Sequence, residues 1–259
     1  MSIEQYKNIK FQIKDQQVHI TIDRPPLNIL NTETIEELIA ALKKADIIDE
    51  VKVIVIKSAG PKTFCAGVEI IEHMPDKVEK TLNTFNNLFE TLAENSNVII
   101  AVVQGYALGG GFELALGCDI IVASENAKFA VPEIKVGSMP PVAIAFLHRI
   151  VGKNIAAELI LTGEKIDASE AYRLGIINKV TSHDKLELVV EELSQKLTGN
   201  SAAILKIAKK ALIKSLDQSP NDALDSTTRL YLDSLIRTDD AVEGLKAFIE
   251  KRKAVWKNR

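Results

Sequence analysis

Apolar residues in this chain first alternate with polar ones and then recur at helical spacing. Ile9, Phe11 and Ile13 alternate, Asp15-Gln16-Gln17 supplies a turn, and Val18, Ile20 and Ile22 alternate again, which predicts a hairpin. Arg24-Pro25-Pro26 stops the second strand. Asn31 or Thr32 is placed to cap a helix whose Ile35, Leu38, Ile39 and Leu42 fall on one face. Residues 51–56 read as a strand dense enough in apolar side chains for a covered sheet. Val78, Leu82, Phe85, Phe89 and Leu92 mark the next helix, and residues 98–103 and 119–123 two further strands. The alternation runs to Lys179-Val180 and predicts α/β architecture. Beyond about Ser182 the pattern changes: residues 186–197, 202–216 and 224–256 keep a helical period without a clear strand. The expected organisation is a core over residues 1–195 and a C-terminal helical region over 196–259 that covers a site or joins subunits.

Composition narrows the class of molecule. With 259 residues, 46% hydrophobic and 26% charged, the chain has the material for a full core. A net charge of −3 offers no overall attraction to nucleic acid or an anionic membrane, so neither is expected as a partner. Its apolar runs fall short of the roughly 18–20 residues a membrane span needs. Met1-Ser2-Ile3-Glu4-Gln5 lacks the basic start and apolar core of a secretory leader, which leads to the expectation of a cytoplasmic enzyme. Cys65 and Cys118 form no CxxC and are read as buried free thiols. The four histidines show no metal spacing, so no metal site is expected; only His73 stands where it could face a substrate.

The chemistry concentrates in Gly105-Tyr106-Ala107-Leu108-Gly109-Gly110-Gly111-Phe112-Glu113. Glycine weakens a helix by roughly 0.5–1 kcal/mol relative to alanine, so three in a row at a helix start need a reason. Close approach supplies one: without Cβ, a backbone N–H can touch a ligand oxygen at a helix N-terminus. A second donor region is Phe64-Cys65-Ala66-Gly67-Val68-Glu69-Ile70, after the strand and turn that precede it. Two carboxylates accompany them, Glu113 among apolar neighbours and Glu133 in Val131-Pro132-Glu133-Ile134. Each alone is an ordinary structural acid. Donors and two carboxyls together are equipment for stabilising an oxyanion while moving protons. No GxGxxG, Walker, HExxH or GxSxG pattern is present.

These segments, with Arg24-Pro25-Pro26-Leu27-Asn28, Cys118-Asp119, Leu161-Thr162-Gly163 and Phe248-Ile249-Glu250-Lys251-Arg252, resemble the crotonase (enoyl-CoA hydratase/isomerase) superfamily over nearly the whole chain. The resemblance implies a spiral of ββα units with a helical C-terminal oligomerisation region, assembled as a homotrimer or homohexamer. It places oxyanion-hole N–H groups at Ala66 and Gly110, gripping the thioester carbonyl of an acyl-CoA. Glu113 and Glu133 take the catalytic positions. Leu27, Cys65, Ala66, Val68, Ile70, Gly109, Gly110, Pro132 and Pro141 line the substrate and its coenzyme A. No prosthetic group is implied, because coenzyme A arrives as part of the substrate.

The implied reaction is addition of water to the β-carbon of a conjugated thioester, Glu113 deprotonating water and Glu133 protonating the α-carbon. Ala130-Val131-Pro132-Glu133 and Met139-Pro140-Pro141-Val142-Ala143 depart from the ordinary hydratase pattern, and proline at 141 has no N–H to give a water. Ala66-Gly67-Val68-Glu69, the nearby His73 and the double proline Pro140-Pro141 together are similar to the cyclohexa-1,5-diene-1-carbonyl-CoA hydratase branch. Double-bond isomerisation through one glutamate, and a non-catalytic CoA- or RNA-binding role on the same fold, stay open as alternatives. A bulky residue at Gly110 is expected to crowd the thioester while leaving the fold largely intact. The apolar side of the last helix (Leu245, Phe248, Ile249) is expected at a subunit contact, its basic end near the CoA phosphates.

Overall fold

The computed structural model describes residues 3–259. Its strands are β1 (Ile3–Gln5), β2 (Ile9–Lys14), β3 (Gln17–Ile22), β4 (Val53–Ser58), β5 (Thr63–Cys65), β6 (Val98–Val103), β7 (Tyr106–Leu108), β8 (Ile120–Ser124), β9 (Lys128–Ala130), β10 (Ile166–Asp167) and β11 (Lys179–Thr181). The helices are α1 (Thr32–Asp46), α2 (Val78–Glu94), α3 (Gly110–Leu116), α4 (Pro141–Val151), α5 (Lys153–Thr162), α6 (Ala168–Arg173), α7 (Leu186–Thr198), α8 (Ala202–Ser215), α9 (Pro220–Asp233) and α10 (Asp239–Ile249).

The expected hairpin forms, with Ile13 opposite Val18 and Ile9 opposite Ile22. Asn31 caps α1, its side chain accepting the Thr34 N–H at 2.9 Å. Three times the chain lays one strand in a seven-stranded sheet and the next in a four-stranded one: β4 then β5, β6 then β7, β8 then β9. A helix follows each pair: α3 comes directly after β7, whereas a 3₁₀ turn precedes α2 after β5 and α4 after β9. This is the ββα winding of the expected fold. Within the small sheet β5, β7 and β9 run parallel, so their C-terminal ends reach one edge together.

Continuous apolar strands follow from the large sheet being covered on both sides. Ile54, Ile56, Ile99, Ala101 and Val103 belong to the main core with α1 and α2. Val53, Val55, Ile100 and Val102 face Leu186 and Val190 of α7.

The C-terminal half-chain departs from expectation in two places. The boundary at residue 195 falls inside α7, which continues to Thr198 while packing on the sheet. The helical stretch expected over residues 224–256 is two helices and a tail. Ser219 caps α9, and Thr238 caps α10 by accepting the Ala241 N–H at 3.1 Å. After α10 the tail folds back: buried Asp240 accepts the N–H groups of Lys257 (2.7 Å) and Asn258 (2.8 Å), and Trp256 Nε1 donates to Gly199 O at 2.8 Å. Arg252 lies beyond the end of α10, paired with Glu243 and Glu250. The helical region is tied to the sheet by buried Lys209, whose Nζ donates to Asn97 O (2.8 Å) and Asp119 Oδ2 (2.7 Å). Cys65 is a buried free thiol, as read; Cys118 is free but only half-buried. Among the described residues no helix is long and apolar enough to cross a membrane, and no cluster of three metal-ligating side chains occurs.

Candidate functional site

Each parallel strand of the small sheet delivers one part of the site. Beyond β5 the chain turns at Gly67 (φ +114°) into Val68; beyond β7 it turns at Gly109 (φ +52°) into α3; beyond β9 Pro132 starts a 3₁₀ turn carrying Glu133. The first two turns touch: a Cβ on Gly67 would stand 3.3 Å from Leu108 O and 3.9 Å from Gly110 N. The glycine run is thus a packing requirement as well as a ligand-facing one. A Cβ on Gly111 would lie 2.2 Å from Cys65 O, and one on Gly105 2.0 Å from Lys62 O, both fixed backbone.

The donor expected at Ala66 is corrected to Val68. The Ala66 N–H donates to Leu27 O at 3.1 Å and is turned away from the site. Val68 sits in a parallel bridge with Leu30, in which Leu30 N donates to Gly67 O and Glu69 N to Leu30 O, both at 2.8 Å. That alternation points the Val68 N–H to the opposite side, and among the described residues it meets no protein acceptor. Gly110, first residue of α3, likewise has its N–H unspent, and a Cβ on it would be 3.6 Å from Val68 N. Two unspent donors thus stand side by side on different loops. The same Cβ would lie 2.7 Å from Val68 Cγ2 and 3.2 Å from Phe85 Cζ, so a bulky residue at 110 strikes the core as well as the site.

Glu113, one turn into α3, is only 2% exposed. Its Oε1 accepts the N–H groups of Val142 and Ala143 at 2.9 Å each, so the carboxyl is docked on the N-terminus of α4. Pro140-Pro141 builds that terminus: Pro141 is the first helical residue, where a missing N–H is tolerated. Burial pushes the Glu113 carboxyl up to about 8, nearby Glu133 adds to the rise, and the two N–H bonds oppose it. Burial also raises Glu133, whose Oε2 is buried with no protein partner. Its Oε1 lies close under Gly109, where a Cβ would approach to 2.6 Å. Gly163, which ends α5 at φ +61°, packs on the Pro132 Cα and accounts for the Leu161-Thr162-Gly163 motif. The Glu133 charge disfavours ionisation of Glu113, so the pair is suited to holding one carboxyl as an acid while the other serves as a base.

The match to a family model described as enoyl-CoA hydratase/isomerase covers residues 12–259. The chain belongs to the enoyl-CoA hydratase/isomerase family. A probable enoyl-CoA hydratase of Rhizobium meliloti is 39% identical over 98% of this chain and 99% of its own. A cyclohexa-1,5-dienecarbonyl-CoA hydratase of Thauera aromatica is 32% identical over 93% of each. The crystal structure of an enoyl-CoA hydratase from Bacillus anthracis superposes with a TM-score of 0.93 at 30% identity, covering 98% of this chain and 100% of that one.

Against this family frame the remaining expected residues sort by position. Leu27 is exposed on the segment that supports Val68, Ile70 is exposed just after Val68, and Pro132 and Pro141 are half-buried at the starts of the turns that set Glu133 and Glu113. Cys65 is corrected from a substrate contact to a core residue: it is fully buried, its Sγ lies 3.6 Å from Gly67 O, and burial pushes its thiol up to about 12. His73 is half-buried with Nδ1 3.1 Å from Glu69 O, so that nitrogen is turned onto its own segment. Missed in the sequence were Val142 and Ala143, the anchors of Glu113. The double proline before an apolar helix was their available signal.

Proposed function

We propose that this chain is an enoyl-CoA hydratase, adding water across the conjugated double bond of an acyl-CoA thioester. The observation that carries the reading is one edge holding two unspent N–H groups, at Val68 and Gly110, beside the buried Glu113 carboxyl and the half-buried Glu133 carboxyl, both of raised proton affinity. The thioester oxygen takes both donors, and negative charge builds on it as water adds to the β-carbon. Each donor fixed toward that charge contributes about 3–4 kcal/mol by the measure of known oxyanion holes. Ionised Glu113, oriented by α4, takes the proton from water; protonated Glu133 delivers one to the α-carbon. The roles reverse in dehydration.

Coenzyme A enters as part of the substrate. The acyl group is a conjugated enoyl chain or a cyclic dienoyl ring, the latter supported by the double proline and by the Thauera relative. The exposed Leu245, Phe248 and Ile249 on α10 support assembly as a trimer or a pair of trimers. Purified protein assayed on crotonyl-CoA and on cyclohexa-1,5-diene-1-carbonyl-CoA tests the reading. Hydration of either sustains it, and the ratio of kcat/KM values decides between chain and ring. Double-bond migration without hydration would assign the isomerase reaction instead.

A further inference from the structure

The two donors differ in how they are held. Gly110 is fixed by α3, whereas Val68 lies between β5 and the 3₁₀ turn Ile70–His73, in no strand or helix of its own. Among the described residues its backbone support is the segment 27–30, through Ala66 N to Leu27 O, Leu30 N to Gly67 O and Glu69 N to Leu30 O. The direction of the Val68 N–H is therefore decided by whatever fixes residues 27–30.

That support comes from two side chains. Asn28 is buried at φ +52°, a left-handed conformation asparagine tolerates better than most residues. Its Nδ2 donates to Ala59 O and Thr63 O, both at 3.0 Å, and its Oδ1 accepts the Arg24 N–H at 3.1 Å. The Asn28 N–H closes the turn on Arg24 O at 2.9 Å. Arg24 then spans both tracks: Nη1 donates to Ile29 O at 2.8 Å, and Nη2 pairs with Glu69 Oε1 at 2.7 Å. One guanidinium thus ties the carbonyl before Leu30 to the carboxylate after Val68. A rigid fork can make both bonds at once, which a single ammonium cannot do in that geometry.

We propose that Arg24, seated by Asn28, is a positioning residue that aims the Val68 N–H at the thioester oxygen. Neither side chain needs to touch substrate. The proposal rests on the hydratase reading of Val68, and its test separates the two. The probe is 4-dimethylaminocinnamoyl-CoA, a push–pull enoyl thioester whose absorption moves to the red as its carbonyl is polarised, bound to wild-type protein and to Arg24→Gln, Arg24→Lys and Glu69→Gln. Wild type is expected to give a clear red shift. In Arg24→Gln at least half of that shift is lost and kcat falls about 10–100-fold, less than the full loss of a donor, while the Kd of the probe stays within about threefold. Arg24→Lys keeps the Glu69 pair without the Ile29 bond and recovers part of both. Glu69→Gln, a milder cut to the same clamp at a half-buried site, loses part of the shift if Arg24→Gln proves unstable. Unchanged red shift and kcat in folded Arg24→Gln or Glu69→Gln protein overturn the positioning role and leave the Val68 donor standing. Bound probe with no red shift in wild type overturns the donor itself, and the positioning role with it.

Discussion

Gly109→Ala is a small change aimed at one carboxyl. The new Cβ would stand 2.6 Å from Glu133 Oε1 and 3.3 Å from its Cδ. An ordinary C···O separation is roughly 3.4 Å, so the carboxyl has to retreat by about 0.8 Å. Displacement of a reacting group by about 1 Å costs on the order of 100-fold, which sets the expected fall in kcat at ~30–100-fold. Alanine at φ +52°, ψ −129° adds about 1–3 kcal/mol of backbone strain, worth roughly 2–12 °C in Tm for a chain of this size. Gly175→Ala separates the effects: its φ is +77°, but no atom lies within 4 Å of the new Cβ. The assay follows loss of the conjugated thioester absorbance of crotonyl-CoA, with Tm and the affinity for a saturated acyl-CoA measured alongside. Gly175→Ala is expected to lose stability with near-normal kcat, and Gly109→Ala to lose both while still binding. A stable Gly109→Ala protein turning over within twofold of wild type would remove the Glu133 carboxyl, as placed here, from the reaction.

Glu113→Gln and Glu133→Gln are each expected to cut hydration ~10²–10⁴-fold with acyl-CoA binding retained, read by kcat and calorimetric Kd; normal turnover in either ends the two-carboxyl mechanism. The pH profile of kcat/KM is expected to rise as pH climbs toward about 8, because burial keeps the Glu113 base protonated below that value; a profile flat from pH 6 to 9 contradicts this. Because the folded-state value for Glu113 is raised, its contribution favours the fold most below the unfolded carboxylate range and is lost as pH climbs through about 8. Glu113→Gln should therefore gain Tm relative to wild type between pH 5 and 9, and a constant difference would refute the linkage. Gly110→Val is expected to lower Tm by several degrees as well as abolish turnover, since Val68 and Phe85 both stand in its way.

The hairpin, the buried strands and the capped α1 were readable because their spacing and burial obey the same periodicity. Leu82 is an exception: it keeps the helical phase of α2 yet stays partly exposed, since phase alone does not say how wide the covered face is. The break at Ser234 escaped notice because apolar spacing persists across it; Thr238-Asp239-Asp240, a capping residue before two acids, was the overlooked signal. In the site, both glutamates and the glycine run stood out by residue type. The choice between Ala66 and Val68 could not be made that way, because it depends on which side of the Leu30 bridge each N–H faces. Sequence names a side chain, whereas a backbone donor is identified only by where the neighbouring carbonyls lie.

In the proposed reaction water adds to the β-carbon while a solvent-derived proton reaches the α-carbon. Crotonyl-CoA incubated with the purified protein in D₂O, with the product examined by NMR and mass spectrometry, tests it most directly. The expected product is a 3-hydroxyacyl thioester with one deuterium at C2 after a single turnover, formed by wild type and lost with Glu113→Gln or Glu133→Gln. A shifted double bond without added water, or a bound thioester left unchanged by the wild-type protein, would contradict it.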